Sequence, residues 1–392
     1  MIDIATIEQQ LSQQGRFSLI DWLLSDNLLF YADYEAWRYG QQEHLDTSLQ
    51  LNNQQFDELI NDSEKHCQAL GLVTEPQALY RWDSAQPILL KASQETHTDL
   101  HLTQQWLRPQ DLPQLDLFLD NSAQVAENAF LEALGSRQFD SAQPLLQKLS
   151  QLNPACSRLG GYQDLTHYGV HMLSNQAITA EALDAELQGL IQEVRPLALD
   201  MLGARARDYL SFAWRRLTHN LQEMPFNPQQ AERHDSFTLL QIPDYPAVIN
   251  GFIADPSLYQ HPILLERLAT SYTALHQDEN ALLTWCLMME QDSDYTETAL
   301  EQYKTHKIHS LWLDYWDIDD TWPIQHFPAF ILARKPALLH RLGNFPPLQQ
   351  PASQAMAALL QKRLTGTDEI AARQELQTQS PALLRFYLGN HR

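Results

Sequence analysis

The chain has 392 residues, 44 % of them hydrophobic, and a formal net charge of -23, so it is long enough for a large core or for two to three packed subdomains. Because binding to phosphate groups needs a basic surface, this charge argues against nucleic acid and anionic membranes as partners. Only 13 glycines occur, which argues against an all-β fold because hairpins and barrels use glycine at left-handed turn positions.

Apolar residues recur at helical spacing from the N-terminus onward. The stretch "FSLIDWLLSDNLLFYADYEAWRYG" predicts two helices with a break at Asp26 and Asn27, and its aromatic residues are assigned to the core. Further helices are predicted over "FDELINDSEKHCQALGL", "EPQALYRW" and "LHLTQQWL". The N-terminus lacks the regions of a signal peptide, and no stretch reaches about 18 uninterrupted apolar residues. We therefore expect a cytoplasmic protein.

The stretch "NSAQVAENAFLEALGSRQFDSAQPLLQKLSQLNP" predicts two helices joined by a short turn. Its apolar residues, its small residue and its closing proline have the spacing of a tetratricopeptide (TPR) hairpin, which the segment resembles; these positions are Phe139, Ala142, Leu146, Leu152 and Pro154. Ala142 allows two helices to approach closely, and Pro154 ends the second helix. An ordinary antiparallel helix pair with a small residue at its crossing is the alternative.

A second segment, "LATSYTALHQDENALLTWCLMMEQDSDY", resembles the same hairpin less closely. The matching positions are Leu268, Tyr272, Ala281 and Trp285. An aspartate replaces the aromatic residue of the turn, the closing proline is missing, and the distance from the first segment is not a whole number of 34-residue repeats. The resemblance therefore implies an all-α, irregular array of antiparallel helical hairpins, TPR-like or α-solenoid-like, rather than a regular superhelix.

Proline-rich segments suggest the domain boundaries. The stretch "EMPFNPQQAERHDSFTLLQIPDYPAVINGF" holds four prolines and a β-like run over residues 237–242, and we interpret it as a linker or an ordered crossing loop. The predicted domains are an N-terminal helical domain (1–120), TPR-like hairpins with a long helix after Pro196 (121–222), the proline-rich segment (223–258) and a C-terminal TPR-like helical domain (259–392).

The acidic stretch "DYWDIDDTWP" contains the most distinctive short motif. Asp317 to Thr321 is similar to the DxDDT signature of class II terpene cyclases, and this resemblance implies that Asp319 is a proton donor tuned by Asp317 and Asp320. In the same resemblance Trp312, Trp316 and Trp322 stabilise a cation. The alternative, which we favour, is that the aspartates cap the helix that Pro323 opens.

Metal and cofactor motifs are weak. Three histidine pairs have helical spacing, namely His97 with His101, His167 with His171, and His306 with His309, but none has the further ligands of a known metal motif. The cysteines Cys67, Cys156 and Cys286 match no metal spacing, and we expect reduced thiols. Glycine-rich phosphate loops and nucleophile motifs are missing from the sequence. No cofactor and no metal are predicted.

Basic residues concentrate in "GARARDYLSFAWRRLTHN". Arg205, Arg207, Arg215 and Arg216, together with Trp214, form a candidate docking face for an acidic protein, since arginine and aromatic residues are preferred anchors of interfaces. The alternative is that these arginines pair with acidic residues of the same chain.

Taken together, the sequence favours a non-enzymatic protein–protein interaction scaffold or adaptor, or a subunit of a larger bacterial complex, that binds a protein or a peptide. The alternative function is an all-α enzyme with an acidic site at Asp317, Asp319 and Asp320, or with a metal site built from histidines.

Overall fold

The computed structural model describes residues 2–82, 87–109, 122–174, 178–179, 182–222, 224–304, 306–318 and 322–390. These residues are mostly helical, which confirms the all-α class apart from one small sheet. The chain divides into two compact units. Unit 1 comprises Met1–Glu223 and Gln241–Asp244, and unit 2 comprises Met224–Leu240 and Tyr245–Arg392.

Unit 1 contains eleven α-helices and three strands in its described part. The helices are α1 (Ile4–Gln14), α2 (Leu19–Ser25), α3 (Tyr31–Arg38), α4 (Asn53–Ala69), α5 (Thr96–Leu102), α6 (Ser122–Gly135), α7 (Phe139–Leu152), α8 (Leu159–Ser174), α9 (Leu183–Gly189), α10 (Arg195–Leu202) and α11 (Ala206–Leu221). The strands are β1 (Phe17–Ser18), β2 (Val73–Pro76) and β3 (Gln104–Leu107).

The three strands form an antiparallel sheet in the order β1-β3-β2, with Trp106 opposite both Phe17 and Thr74. This sheet shows that the helix predicted over "EPQALYRW" is wrong, and that "LHLTQQWL" divides into the end of α5 and strand β3. The reason lies in the burial pattern, because Gln104 and Trp106 are buried and their neighbours are half-buried, which is the two-residue period of a strand.

The predicted helix break at Asp26 and Asn27 is confirmed, and it separates α2 from α3. Asn27 adopts a left-handed backbone with φ 55° between α2 and α3, a conformation that asparagine tolerates better than most residues. The aromatic residues of α3 are core residues as predicted, since Tyr31, Tyr34 and Trp37 are at most 3 % exposed.

Both segments that resemble a TPR hairpin form helix pairs with the same turn. In unit 1, α6 and α7 are joined by three residues whose middle one, Arg137, has φ 59°, and the N–H of Gln138 donates to the carbonyl of Ala133 at 2.8 Å. In unit 2 the turn has His276 at φ 55°, and the N–H of Gln277 donates to the carbonyl of Tyr272 at 2.8 Å. The bond spans five residues in both turns, which is the Schellman pattern that closes a helix. Membership of the TPR family stays a prediction.

A close packing contact joins the first hairpin to α8. Gly169 lies in the middle of α8 directly against the ring of Phe139, the first residue of α7. The long helix predicted after Pro196 is interrupted, because Gly203 adopts φ 55° between α10 and α11. This break lets α11 start in a new direction, and α11 buries one face that includes Tyr209 and Trp214.

Unit 2 is helical throughout its described residues. Its helices are α12 (Asp235–Gln241), α13 (Tyr245–Ala254), α14 (Pro262–Ala274), α15 (Asp278–Gln291), α16 (Ser293–Gln302), α17 (Lys307–Ile318), α18 (Phe327–Arg334), α19 (Pro351–Leu364), α20 (Ile370–Gln379) and α21 (Pro381–Asn390). The β-like run predicted over residues 237–242 is therefore wrong, because it lies mainly in α12. Thr238 is buried in this helix, and Ser236 of its first turn accepts a hydrogen bond from Arg267 at 3.0 Å.

Among the residues the structure describes, no helix combines the length and the apolar character needed to cross a membrane. The three cysteines are free. Cys67 and Cys286 are buried and Cys156 is half-exposed. Burial raises the pKa of the Cys67 thiol to about 12, and it also raises the pKa of Cys286, so neither thiol is activated as a nucleophile.

Candidate functional site

The arginines of the predicted docking face contact carboxylates of unit 1. Arg207 places Nη2 3.2 Å from Oδ1 of Asp21, and Arg205, just before α11, places Nε 3.4 Å from Oε2 of Glu132. The Arg207 side chain is 29 % exposed and that of Arg205 is 37 % exposed. Both ion pairs agree with the alternative given above, in which these arginines pair with acidic residues of the same chain.

The second half of α11 continues this pattern. Arg215 contacts Glu35 at 2.7 Å and Asp244 at 2.6 Å, and Arg216 lies 3.6 Å from Glu186. Trp214 is only 2 % exposed, so its ring belongs to the core of unit 1 and is not available as an interface anchor without a change in structure. A docking role for this helix remains a prediction, and these contacts do not add support to it.

The centre of the arginine network is the carboxylate of Asp208. It accepts hydrogen bonds from the hydroxyls of Tyr34 at 2.8 Å and Tyr31 at 3.2 Å, and Arg38 approaches it to 3.4 Å. Burial raises the pKa of the Asp208 carboxyl, but Arg207 and Arg38 outweigh this effect and leave the pKa below its ordinary value. The Arg38 side chain is 3 % exposed, so the pair is a buried one that requires both partners.

A narrow polar pocket adjoins this network. Its lining includes four arginines, Arg16, Arg38, Arg205 and Arg207, and three carboxylates, Asp21, Glu132 and Asp208. Every one of these arginines has a carboxylate within 3.4 Å. Because the charges compensate one another almost completely, the pocket offers little net attraction to an anion. The network joins α2, α3 and α6 to α11 or to the residues just before it through ion pairs and hydrogen bonds.

Sequence reasoning missed the most deeply buried member of this network, Arg137. It is 2 % exposed and sits in the left-handed turn between α6 and α7. Its guanidinium donates to the backbone carbonyl of Asp208 at 2.7 and 2.9 Å and stacks 3.8 Å from the ring centroid of Trp82. The sequence shows only that Arg137 lies in a short turn between two helices. Because exposed arginines are also common in such turns, this position does not indicate that the side chain is buried.

The acidic motif of the cyclase-like interpretation falls mostly outside the described residues. Asp319 and Asp320 belong to the part that is not described, and Asp317 is exposed near the end of α17. Trp312 and Trp322 are each 7 % exposed. Both rings pack edge-on against aromatic side chains of unit 2, Trp312 on Phe327 at 4.9 Å between centroids and Trp322 on Tyr315 at 5.5 Å. These tryptophans form part of an aromatic core, and the acid-site and helix-cap interpretations both stay predictions.

The three histidine pairs differ in their surroundings. His97 and His101 bring their Nε2 atoms to 3.2 Å, with ring centroids 4.4 Å apart. His167 and His171 are exposed on α8, and the ring of His306 packs against Tyr303 with centroids 4.8 Å apart. Within the described ranges, no group of three or more histidine, cysteine, aspartate or glutamate side chains is arranged to hold a metal ion.

Unit 2 contains an apolar groove between the start of α15, the start of α17 and the short helix Pro336–His340. Leu282, Leu311 and Leu338 form its floor, and each is at most 8 % exposed. Its free volume is about 380 Å³, which is at the lower end of the range for ligand sites and suits one or two aliphatic side chains. We call it the α15–α17 groove.

Charged residues of both signs surround the α15–α17 groove. Lys307 pairs with Asp278, and Arg341 lies 3.3 Å from Glu279. Lys335 also lines the groove and is exposed, and within the described part of the chain it has no ion-pair partner. A cation without a partner beside an apolar floor is the kind of site that can bind an apolar residue next to a carboxylate.

Comparison of the chain with protein-family models, with curated proteins and with solved structures gives no match.

Proposed function

We propose that this chain is a non-enzymatic helical binding protein, a scaffold or adaptor, and that the α15–α17 groove of unit 2 holds a segment of a partner protein. The observation that carries this proposal is the groove itself, with its floor of three leucines and with Lys335, which has no ion-pair partner among the described residues. The occupant is a partner segment with one large aliphatic side chain next to a carboxylate, either an acidic side chain or a chain terminus.

The floor provides most of the binding free energy. Full burial of a leucine side chain contributes about 2 kcal/mol, and the charged rim excludes water from the contact and orients the segment. Lys335 selects a carboxylate because the neighbouring basic groups Lys307 and Arg341 already have acidic partners. A single anchor of this size gives weak binding, as is common for adaptors, unless further contacts are made outside the groove.

The supporting hairpin is rigid where the groove needs it. Helix α15 has nine buried residues, from Ala281 to Met289, and α14 packs along it. The groove residues Asp278, Glu279 and Leu282 all lie in the first five residues of this helix. A well-packed helix holds them in place before a partner arrives, and this lowers the entropy cost of binding.

The experiment compares two pairs of matched variants. Ala337→Phe fills the groove from an exposed position, whereas Ala371→Phe makes the same change on the exposed face of α20 and does not touch the groove. Lys335→Glu reverses the charge at the edge of the groove, and Lys362→Glu makes the same reversal on α19. Peptides are first selected on the unmodified chain from a displayed random library, and their dissociation constants are then measured by fluorescence anisotropy for all five proteins.

The proposal predicts that selected peptides share an aliphatic residue next to an acidic one. Ala337→Phe and Lys335→Glu should weaken their binding at least about tenfold, and both control variants should bind as the unmodified chain does. Equal binding by all five proteins, or selection of peptides in which no carboxylate, from a side chain or a chain terminus, lies next to the aliphatic residue, would refute the assignment of the groove.

A further inference from the structure

We propose that His97 and His101 form a two-histidine site for a late first-row divalent metal ion, with Cu²⁺ bound most tightly. This site belongs to unit 1 and is independent of the groove in unit 2. The proposal rests on the position of the two imidazoles on α5, whose Nε2 atoms converge to 3.2 Å.

The separation of the two nitrogen atoms fits a shared ion. Nitrogen ligands lie about 2.05 Å from zinc, so two of them at a tetrahedral angle are about 3.3 Å apart. The histidines are four positions apart in the sequence, which places them one turn apart on the same helical face. A distance of 3.2 Å also allows an N–H···N hydrogen bond between the two rings. A metal ion that binds the pair would displace the proton of this hydrogen bond and take its place between the two nitrogens.

The helix that carries the pair is fixed by its surroundings. Leu102 is 0 % exposed and Thr98 is 7 % exposed, so one side of α5 is anchored in the core. Asp99 accepts hydrogen bonds from the backbone N–H groups of Ala92 at 2.7 Å and Ser93 at 3.3 Å, which ties α5 to the segment before it. An ion that arrives therefore meets two ligands already held one turn apart, and little ordering is required.

A third side chain supports the buried histidine. The amide nitrogen Nε2 of Gln104, a residue that is 7 % exposed, lies 3.1 Å from Nδ1 of His101. With the nitrogen in this place Nδ1 accepts the bond, so metal binding at Nε2 requires the opposite amide orientation, in which the oxygen of Gln104 accepts from the Nδ1–H and Nε2 keeps a free lone pair. Such an outer hydrogen bond is the usual way in which a metal-binding histidine is oriented.

The choice of metal follows from the donor atoms. Imidazole suits copper, nickel and zinc, and affinities for a given nitrogen site rise to Cu²⁺ and fall again at Zn²⁺. Because the described residues supply only two ligands, the other coordination positions belong to water or to an external ligand. The site should therefore exchange its ion readily rather than hold it permanently.

In the test, the full chain is titrated with Cu²⁺ and, separately, with Zn²⁺. Isothermal titration calorimetry measures the affinity and the number of bound ions, and electron paramagnetic resonance identifies the ligands of Cu²⁺. The variants are His97→Gln, which changes an exposed residue, His101→Gln, and the double variant His167→Gln/His171→Gln, which removes a pair with the same spacing on α8. Circular dichroism shows whether each variant is folded.

We expect one Cu²⁺ site with hyperfine coupling to imidazole nitrogen, a weaker Zn²⁺ affinity at the same site, and at least about tenfold weaker binding after His97→Gln because the chelate is lost. The double variant on α8 should retain this site. Binding that survives His97→Gln, binding that disappears in the α8 double variant, or no saturable binding by the unmodified chain would overturn the proposal.

Discussion

Gly169→Ala tests the packing of the first hairpin against α8. A Cβ atom added at this position would lie 2.9 Å from Cδ1 of Phe139 and closer still to Cε1 and Cζ of the same ring. The ring cannot simply turn away, because Phe139 is 5 % exposed and also contacts Tyr209. Overpacking of this kind costs about 1–3 kcal/mol or more, whereas the higher helix propensity of alanine returns about 1 kcal/mol.

We therefore expect Gly169→Ala to lower the stability of unit 1 by about 2 kcal/mol, which corresponds to a fall in Tm of about 4–8 °C for a unit of this size. The assay is differential scanning calorimetry of the full chain. Gly160→Ala is the matched control, because Gly160 lies in the same helix and an added Cβ meets nothing within 4 Å. Phe139→Leu should restore part of the loss in the double variant. If both alanine variants are equally stable, the close contact between α7 and α8 is not formed.

Three further predictions concern the charged network and the thiols. Asp208→Asn leaves the buried Arg38 without its ion pair and should lower the free energy of unfolding by about 3–5 kcal/mol. Because the pKa of Asp208 is lowered in the folded chain, the carboxylate stabilises the fold at neutral pH, and this contribution is lost as the pH falls below the ordinary carboxyl range. When stability is measured by urea unfolding at a series of pH values, the variant should therefore lose less stability on acidification than the unmodified chain. Arg215→Glu should destabilise the chain more than Arg205→Glu, because Arg215 pairs with the buried Glu35, whereas Arg205 and Glu132 are both more than a third exposed. Thermal unfolding of the two variants measures this order, and equal losses of stability would contradict it. Of the three cysteines only Cys156 should react rapidly with a thiol reagent in the folded chain, whereas all three should react in denaturant. Rapid reaction of more than one thiol in the folded chain would show that the core around Cys67 or Cys286 opens.

The parts of the fold that were predicted correctly depend on local patterns. The break at Asn27 follows from short-range turn chemistry, and both hairpins follow from helical periods with a short interruption. The small sheet was missed because it joins Phe17 to Trp106, residues that no local window contains. The run over residues 237–242 was misread because a short apolar stretch suits a strand and a buried helix equally well, and only its packing decides.

The contacts of the candidate site residues could not be predicted from the sequence, and for a similar reason. The partners of the arginines near α11 lie on distant elements, as shown by Asp21 on α2 and Glu132 on α6. Likewise, the α15–α17 groove takes residues from three elements, and nothing near Lys335 in the sequence shows that its side chain lines an apolar groove. The pair His97 and His101 was visible from its spacing, but the convergence of the two Nε2 atoms depends on the rotamers that packing selects.

A cluster of arginine and aromatic residues on one helix is compatible with both an interface and an ionic core. In a chain with 49 acidic and 26 basic residues, a carboxylate of the same chain is available to nearly every arginine. Arginine enrichment alone is thus a poor indicator of an interface in an acidic protein, because internal pairing satisfies it at no cost to solubility. A basic residue beside an apolar groove is the more informative feature when it has no ion-pair partner among the described residues. Lys335 at the α15–α17 groove is such a residue, whereas Arg215 on α11 pairs with Glu35 and Asp244.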